Sequence, residues 1–408
     1  MLRKDELERK VVEIDFPNAE KTFHYKFTSL ISGTTRFFRP FFTEQVYVNG
    51  RENLRENSDP DAPAIKGPLL VIFGHESYGD IIDLPPEWST LPRKLMLKVM
   101  VRDDYFGFRP LDYVLNKAIS PFAIPIKRTW AMEGLSEEEK TRIRKYNNKQ
   151  LDSAFNPENN KFDKAVPPES TTKKNGAFNK IRSGAWKVSH RVNEGKLEVL
   201  NCVFAGNTLD NMSSLPGKHL TFLNISEISQ YSPVNYIEGE SEESYNKRDI
   251  AKFAKTTKDK FIDLHTFTLG QIGGISILSK ALKDYQSFSR LELLTEVKKT
   301  LEALNQVKDE RAMYIDPELE RGNGGLDKRF NNFVENLDRK GYTTSVSNGR
   351  LHINIEEIMK VPDNKKYKKE NPLRYLTNKF IDVAQERPAI LDVVRDVFSF
   401  EVNGYEIS

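Results

Sequence analysis

The stretch that most constrains this chain is GPLLVIFG, residues 67–74. Its unbroken apolar run is too short for a stable helix and is bounded by glycines. It reads as a buried strand, which requires other layers of structure over it. The segments that follow supply them. Residues 93–101 (RKLMLKVMV) suit a helix or a strand, and 121–126 (PFAIPI) a strand. The charged run 133–151 suits a helix, and 152–176, rich in Asn, Pro, Lys and Thr, a loop. GAWKVSHRV (184–192) is expected to be helical, and LEVLNCVFAG (197–206) and HLTFLNI (219–225) to be strands. Strands alternating with helices predict an α/β fold, a mixed sheet flanked by helices.

Past residue 238 the pattern changes. GESEESYNKRD is a charged linker, and ILSKALKDY and LLTEVKKTLEALNQV carry helical apolar spacing. Residues 326–340, 372–385 and 389–399 continue that spacing. GYTTSVSNGRLHINI (341–355) reads as a hairpin turning at Asn348-Gly349. Three parts are expected: an N-terminal helical, membrane-facing segment (1–58), an α/β domain (59–238), and a mainly helical C-terminal domain with a small β-hairpin (239–408).

With 408 residues, 38% hydrophobic and 30% charged, the chain has material for more than one core. Its 62 basic and 59 acidic residues nearly cancel, so bulk charge selects no partner. Cys202 has no internal disulfide partner, which fits a reducing compartment. The charged start MLRKDELERKVVEIDF lacks the apolar core of a secretory signal. No run approaches the roughly 18 to 20 apolar residues of a spanning helix. Residues 25–47 set Phe27, Leu30, Ile31, Phe37, Phe38, Phe41 and Phe42 among Arg36 and Arg39. Such a segment either packs on the core or lies in a lipid interface.

The residues with chemistry follow the first strand directly, in GHESYGDIIDL (74–84). A histidine at a strand end can face a cleft. Asp80, five residues on, can turn back to accept one ring N–H of His75 and leave the other ring nitrogen as a general base. A His-x4-Asp pair alone recurs in many chains, and its flanks make it informative. Gly-His-x-Ser-x-x-Asp after an apolar strand resembles the first conserved block of the glycerolipid acyltransferases. That family includes the glycerol-3-phosphate and 1-acyl-glycerol-3-phosphate enzymes. VYVNGRENL (46–54) resembles the strand and glycine that lead into it. FAIPIKR resembles a second block ending in Arg128, and VMVRDDYFGFRPLDYVL puts Arg102 forward. PPESTTKKNGAFNKIRSGAWKVS (167–189) resembles the third block through Pro168, Glu169 and Thr171. Ser170 and Thr172 depart from its usual Gly and Arg, and Lys173 or Lys174 is left to supply the charge.

The resemblance covers roughly residues 30–235, with a fainter echo in LGQIGGISILSKAL and NPLRYLTNKFIDVA. It implies a glycerolipid-acyltransferase-like mixed sheet and an O-acyltransferase with His75 and Asp80 catalytic. Ser77, Arg102, Arg128, Glu169, Thr171 and Lys173 would bind substrate. No metal or resident cofactor is implied. The co-substrate is acyl-CoA or acyl carrier protein. The acceptor bears a phosphate, with glycerol 3-phosphate ahead of lysophosphatidate. The protein would sit peripherally on the cytoplasmic face of a membrane, with no nucleic-acid partner. Two rivals differ in class. A serine hydrolase would use Ser77 in His-Glu-Ser-Tyr-Gly, a distorted nucleophile elbow. A binding protein would use the winged-helix-like stretch 326–355, with Lys328, Arg329, Arg339, Lys340 and Arg350.

Overall fold

The computed structural model describes residues 39–399, except 58, 60, 66–68, 77–83, 85–86, 93–95, 103–122, 128–133, 156–161, 170–174, 194–195, 200, 309–312, 322–323, 347–348 and 364–366. The expected N-terminal segment therefore lies outside the described residues up to position 38. In its described part Phe41 and Phe42 are 64% and 58% exposed, and Thr43–Asn49 is a strand of the main sheet rather than helix.

Among the described residues, the main sheet is built from β1 (Thr43–Asn49), β2 (Leu70–Phe73), β3 (Met96–Arg102), β4 (Ala123–Ile126), β5 (Phe162–Val166), β8 (Asn201–Asp210) and β9 (His219–Ile225). A short β6–β7 hairpin (His190–Asn193, Lys196–Val199) stands apart, and β10 (Ser229–Gln230) pairs with β8. The order is β1-β9-β8-β2-β5-β3-β4. Strands β8, β2, β5, β3 and β4 are mutually parallel. β9 runs antiparallel to β8 and carries β1 parallel to itself. This is the mixed sheet read from the sequence.

β2 is buried along its whole length, as an apolar run of that kind requires. Its side chains alternate between two cores. Leu69, Val71 and Phe73 join Trp88, Leu97 and Val203 on one face. Leu70 and Ile72 join Phe204, Phe253 and Phe261 on the other. Gly50 ends β1 at positive φ, where a Cβ would run into the carbonyl oxygen of Ile225. The glycine in VYVNGRENL is thus required by close backbone approach.

Three expectations need correction. The stretch 152–176, read as loop, holds β5, an inner strand hydrogen-bonded to both β2 and β3. Its FDKAV sequence hides this, because Asp163 and Lys164 are buried polar residues rather than apolar ones. Asp163 accepts from Trp88 Nε1 at 2.9 Å and from the Leu69 N–H at 3.1 Å, which satisfies it inside the core. The helix expected over 184–192 stops at Ser189, and His190 begins β6. The charged linker after 238 is mostly helix. α1 (Glu137–Phe155) and α2 (Ser183–Ser189) precede α3 (Glu242–Asp263). Ser241 caps α3 by accepting from the Ser244 N–H at 3.2 Å. Phe253 and Phe261 of α3 pack on the sheet.

The longer helices that follow are α4 (Leu269–Leu282), α5 (Arg290–Lys308), α6 (Gly325–Arg339), α7 (Pro372–Gln385) and α8 (Pro388–Phe398), with short helical turns at Pro317–Glu320, Ile355–Met359 and Tyr367–Glu370 between them. β11 (Thr266–Phe267) pairs with β13 (Tyr314–Ile315), and β12 (Ser287–Ser289) adds to the expected hairpin of β14 (Thr343–Val346) and β15 (Arg350–Ile353). These helices enclose one large apolar cluster around α4. The sheet is tied to it by charge. Arg329 of α6 is 1% exposed and pairs with Asp316 and Glu44, each at 3.3 Å, while donating to the Tyr47 hydroxyl at 2.7 Å. Arg329 therefore belongs to the interior, not to a basic face for nucleic acid.

Candidate active site

Four parallel strands end, at one edge of the sheet, beside residues singled out by sequence. In the parallel set β2-β5-β3-β4, His75 follows the carboxyl end of β2 and Glu169 that of β5. Arg102 is the last residue of β3, and Arg128 lies two positions beyond β4. Three inter-strand steps span about 14 Å. The crevice outside the carboxyl ends of parallel strands is where open α/β sheets place ligands.

The register brings the first and third blocks together. Ile72 pairs with Val166, and His75 and Glu169 each lie three residues further on. The Gly74 N–H donates to the Ala205 carbonyl at 3.0 Å, extending β2 by one residue before the chain turns. His75 is half-buried, its ring edge-on to Phe73 with centroids 6.0 Å apart. The carboxylate of Glu169, 94 positions later, accepts the His75 N–H at 3.3 Å. Its second oxygen accepts the Asn179 N–H at 3.0 Å. Glu169 is 1% exposed, and both oxygens serve backbone amides. Its place is beneath the loop that carries His75.

The next residue anchors that loop from the other side. Glu76 is fully buried and receives the Tyr375 hydroxyl at 2.8 Å. Its other oxygen faces Lys379 Nζ at 2.8 Å, and Lys379 is also fully buried. Both partners stand one turn apart on α7. The same helix holds the segment after the third block. Asn378 donates to the Asn175 carbonyl at 2.9 Å, and Asp382 accepts the Phe178 N–H at 2.7 Å. Gly176 has positive φ, and a Cβ there would meet the Tyr375 carbonyl oxygen. Helix α7 thus grips the loops of His75 and Glu169 together.

Sequence reasoning did not assign Glu76, Tyr375 or Lys379 to this site. Glu76 sits inside the recognised block, but nothing local reveals that its partner lies about 300 residues away. The signal available was a lysine inside the apolar-periodic helix RYLTNKFIDVA. Asp80, Ser77, Arg128, Thr171 and Lys173 lie outside the described residues, as does the side chain of Arg102.

Among the described residues, no group of three or more His, Cys, Asp or Glu side chains is placed to hold a metal ion. Burial pushes the Cys202 thiol up to about 12, so it is a core residue rather than a nucleophile. His265 is buried between Thr208 and Gln271, 3.0 Å from the latter's Oε1. His219 meets Thr43 Oγ1 at 3.0 Å. Among the described residues no helix is long and apolar enough to cross a membrane.

No family model matches the chain, and no curated protein matches it. Among solved structures it is similar to the 1-acyl-sn-glycerophosphate (LPA) acyltransferase PlsC from Thermotoga maritima. The TM-score is 0.29 and the identity 17%, over 57% of this chain and 79% of that one. At that TM-score the likeness transfers no residue roles.

Proposed function

We propose that this chain is an acyltransferase that moves an acyl group from a thioester to a hydroxyl of a phosphate-bearing acceptor, with glycerol 3-phosphate the first candidate and lysophosphatidate the second. The observation that carries the reading is the convergence at one sheet edge. Positions chosen from the sequence, spread over more than 90 residues, fall at or just past the carboxyl ends of four neighbouring parallel strands, and the Glu169 carboxylate accepts the backbone N–H of His75.

In this reading His75 takes the proton of the acceptor hydroxyl as its oxygen attacks the thioester carbonyl. Asp80 holds the ring tautomer and stabilises the imidazolium. The carbon–sulfur bond then breaks, and the departing thiolate takes the proton from the imidazolium, so His75 ends as it began. No covalent acyl-enzyme is needed. The His75 N–H is occupied by Glu169, so other donors meet the oxyanion. Arg102 and Arg128, with Lys173, are proposed to grip the acceptor phosphate, a task for which guanidinium groups are well suited. Donors are acyl-CoA or acyl carrier protein, and the site works at a membrane surface from the cytoplasmic side.

The test is thioester consumption by purified protein with each donor, offered glycerol 3-phosphate and lysophosphatidate in parallel. Acceptor-dependent turnover is expected, reduced at least about 10²-fold in His75→Ala. Acceptor-independent hydrolysis that survives His75→Ala and disappears in Ser77→Ala would replace this reading with a serine hydrolase.

A further inference from the structure

A second feature of the same edge has no part in the chemistry above. β1 and β9 run opposite to the parallel set, so their first residues, Thr43 and His219, come to the edge where β2 ends. β8 runs alongside β2 and continues past it. Ala205 pairs with Phe73, and the strand carries on to Asp210. Those five extra residues reach about 17 Å beyond the end of β2. There, with α6 and α7, they line a half-open cavity of ≈ 490 Å³.

Its lining is one-sided in charge. Arg39, Lys218, Arg339, Lys340 and Lys368 all contribute, and no carboxylate is among the described lining residues. Phe42, Leu209, Tyr375 and Leu376 form an apolar wall. Desolvation, and then the neighbouring Arg339, hold Lys340 below the ordinary lysine range. Lys368 lies over the Tyr375 ring, 4.8 Å from its centroid. Arg39 is paired with Glu87, so its charge is already shared. A space this size suits a small molecule or headgroup rather than a protein segment. Converging cations beside an apolar wall suit a phosphate ester attached to something less polar.

We infer that this cavity is a binding site for a phosphate ester. His75 does not line it, and the inference stands whether or not the chain transfers acyl groups. The site is joined to the His75 loop through one side chain: Tyr375 walls the cavity with its ring and donates its hydroxyl to Glu76. The phosphate comes either from a soluble ester or from a lipid headgroup. The exposed Phe42 of the lining, with its exposed chain neighbour Phe41, favours the lipid.

The experiment uses the full chain in two arms. In one, inorganic phosphate is titrated calorimetrically at low ionic strength. In the other, flotation is measured with vesicles of phosphatidylcholine alone and of phosphatidylcholine with phosphatidate. Variants are Arg339→Gln/Lys340→Gln at the exposed end of α6, Lys368→Gln, and Lys255→Gln on α3 as a charge control. Binding in either arm, weakened at least about tenfold by the cavity variants and unchanged in Lys255→Gln, is the expected result. Binding in the phosphate arm identifies a soluble ester. Binding confined to phosphatidate vesicles identifies a headgroup. No binding in either arm, or equal weakening by the control, overturns the site. His75→Ala is expected to bind as the parent does, which separates this result from the fate of the catalytic reading.

Discussion

Replacing Lys379 by Met removes the ammonium that faces the Glu76 carboxylate while keeping most of the side-chain volume. Both side chains are 0% exposed, so the carboxylate that remains cannot recover its lost partner from water. Breaking a buried pair in this way costs about 3–5 kcal/mol, chiefly the desolvation of the orphaned charge. That changes the ratio of folded to unfolded molecules by a factor of roughly 150 to 5,000. The Tyr375 hydroxyl still donates to Glu76, which places the expectation toward the lower end. Glu76→Gln/Lys379→Met removes both charges and keeps an acceptor for Tyr375. It is expected to be more stable than Lys379→Met alone, with a coupling of about 2 kcal/mol or more. The assay is urea denaturation of parent, both single variants and the double variant, read as midpoint and slope. A Lys379→Met variant within about 1 kcal/mol of the parent, with no coupling, would refute the burial argument.

Two further outcomes follow from titration chemistry. Burial pushes Asp316 up to about 6, against the lowering effect of Arg329. The folded chain then holds this proton more tightly than the unfolded one, so stability falls as pH rises from about 4 to about 6. A rise of that size is worth about 3 kcal/mol. Asp316→Asn lacks the slope, so its stability relative to the parent should improve across that window in denaturation curves at pH 4 and pH 6.5. A pH-independent difference would contradict the assignment. The Cys202 thiol, pushed up to about 12, should resist a disulfide reagent at pH 8 in the folded protein and react on unfolding. Rapid stoichiometric labelling of folded protein would show that the thiol is reachable.

Periodicity and local chemistry were enough where a segment's environment was uniform. β2, β9 and the helices at 290–308, 325–339 and 372–385 lie where their apolar spacing places them. The hairpin strands flank Asn348-Gly349 as expected, with Gly349 at positive φ. Reading failed where a tertiary partner overrides local composition. FDKAV looks like loop because Asp163 is charged, yet Trp88 and the Leu69 amide turn that charge into a core hydrogen-bond acceptor. GESEESYNKRD looks like a linker, yet a serine cap and two buried phenylalanines further on make it the start of α3.

The chemistry proposed for the His75 loop rests on residue types and spacing alone, because the histidine and the aspartate proposed to orient it are close in the chain. A buried strand beside them was likewise local information, since apolar run length is set by consecutive residues. Only the tertiary structure decided what holds the loop in place. Glu169 comes from a neighbouring strand 94 positions away, and Lys379 and Tyr375 from a helix near the other end of the chain. The cationic cavity is of the same kind, since Arg39, Lys218, Arg339 and Lys368 share no sequence neighbourhood. Their charges become a site only when reversed strands β1 and β9 and the helices α6 and α7 bring them to one edge. That convergence depends on strand order and direction, which no window of sequence contains.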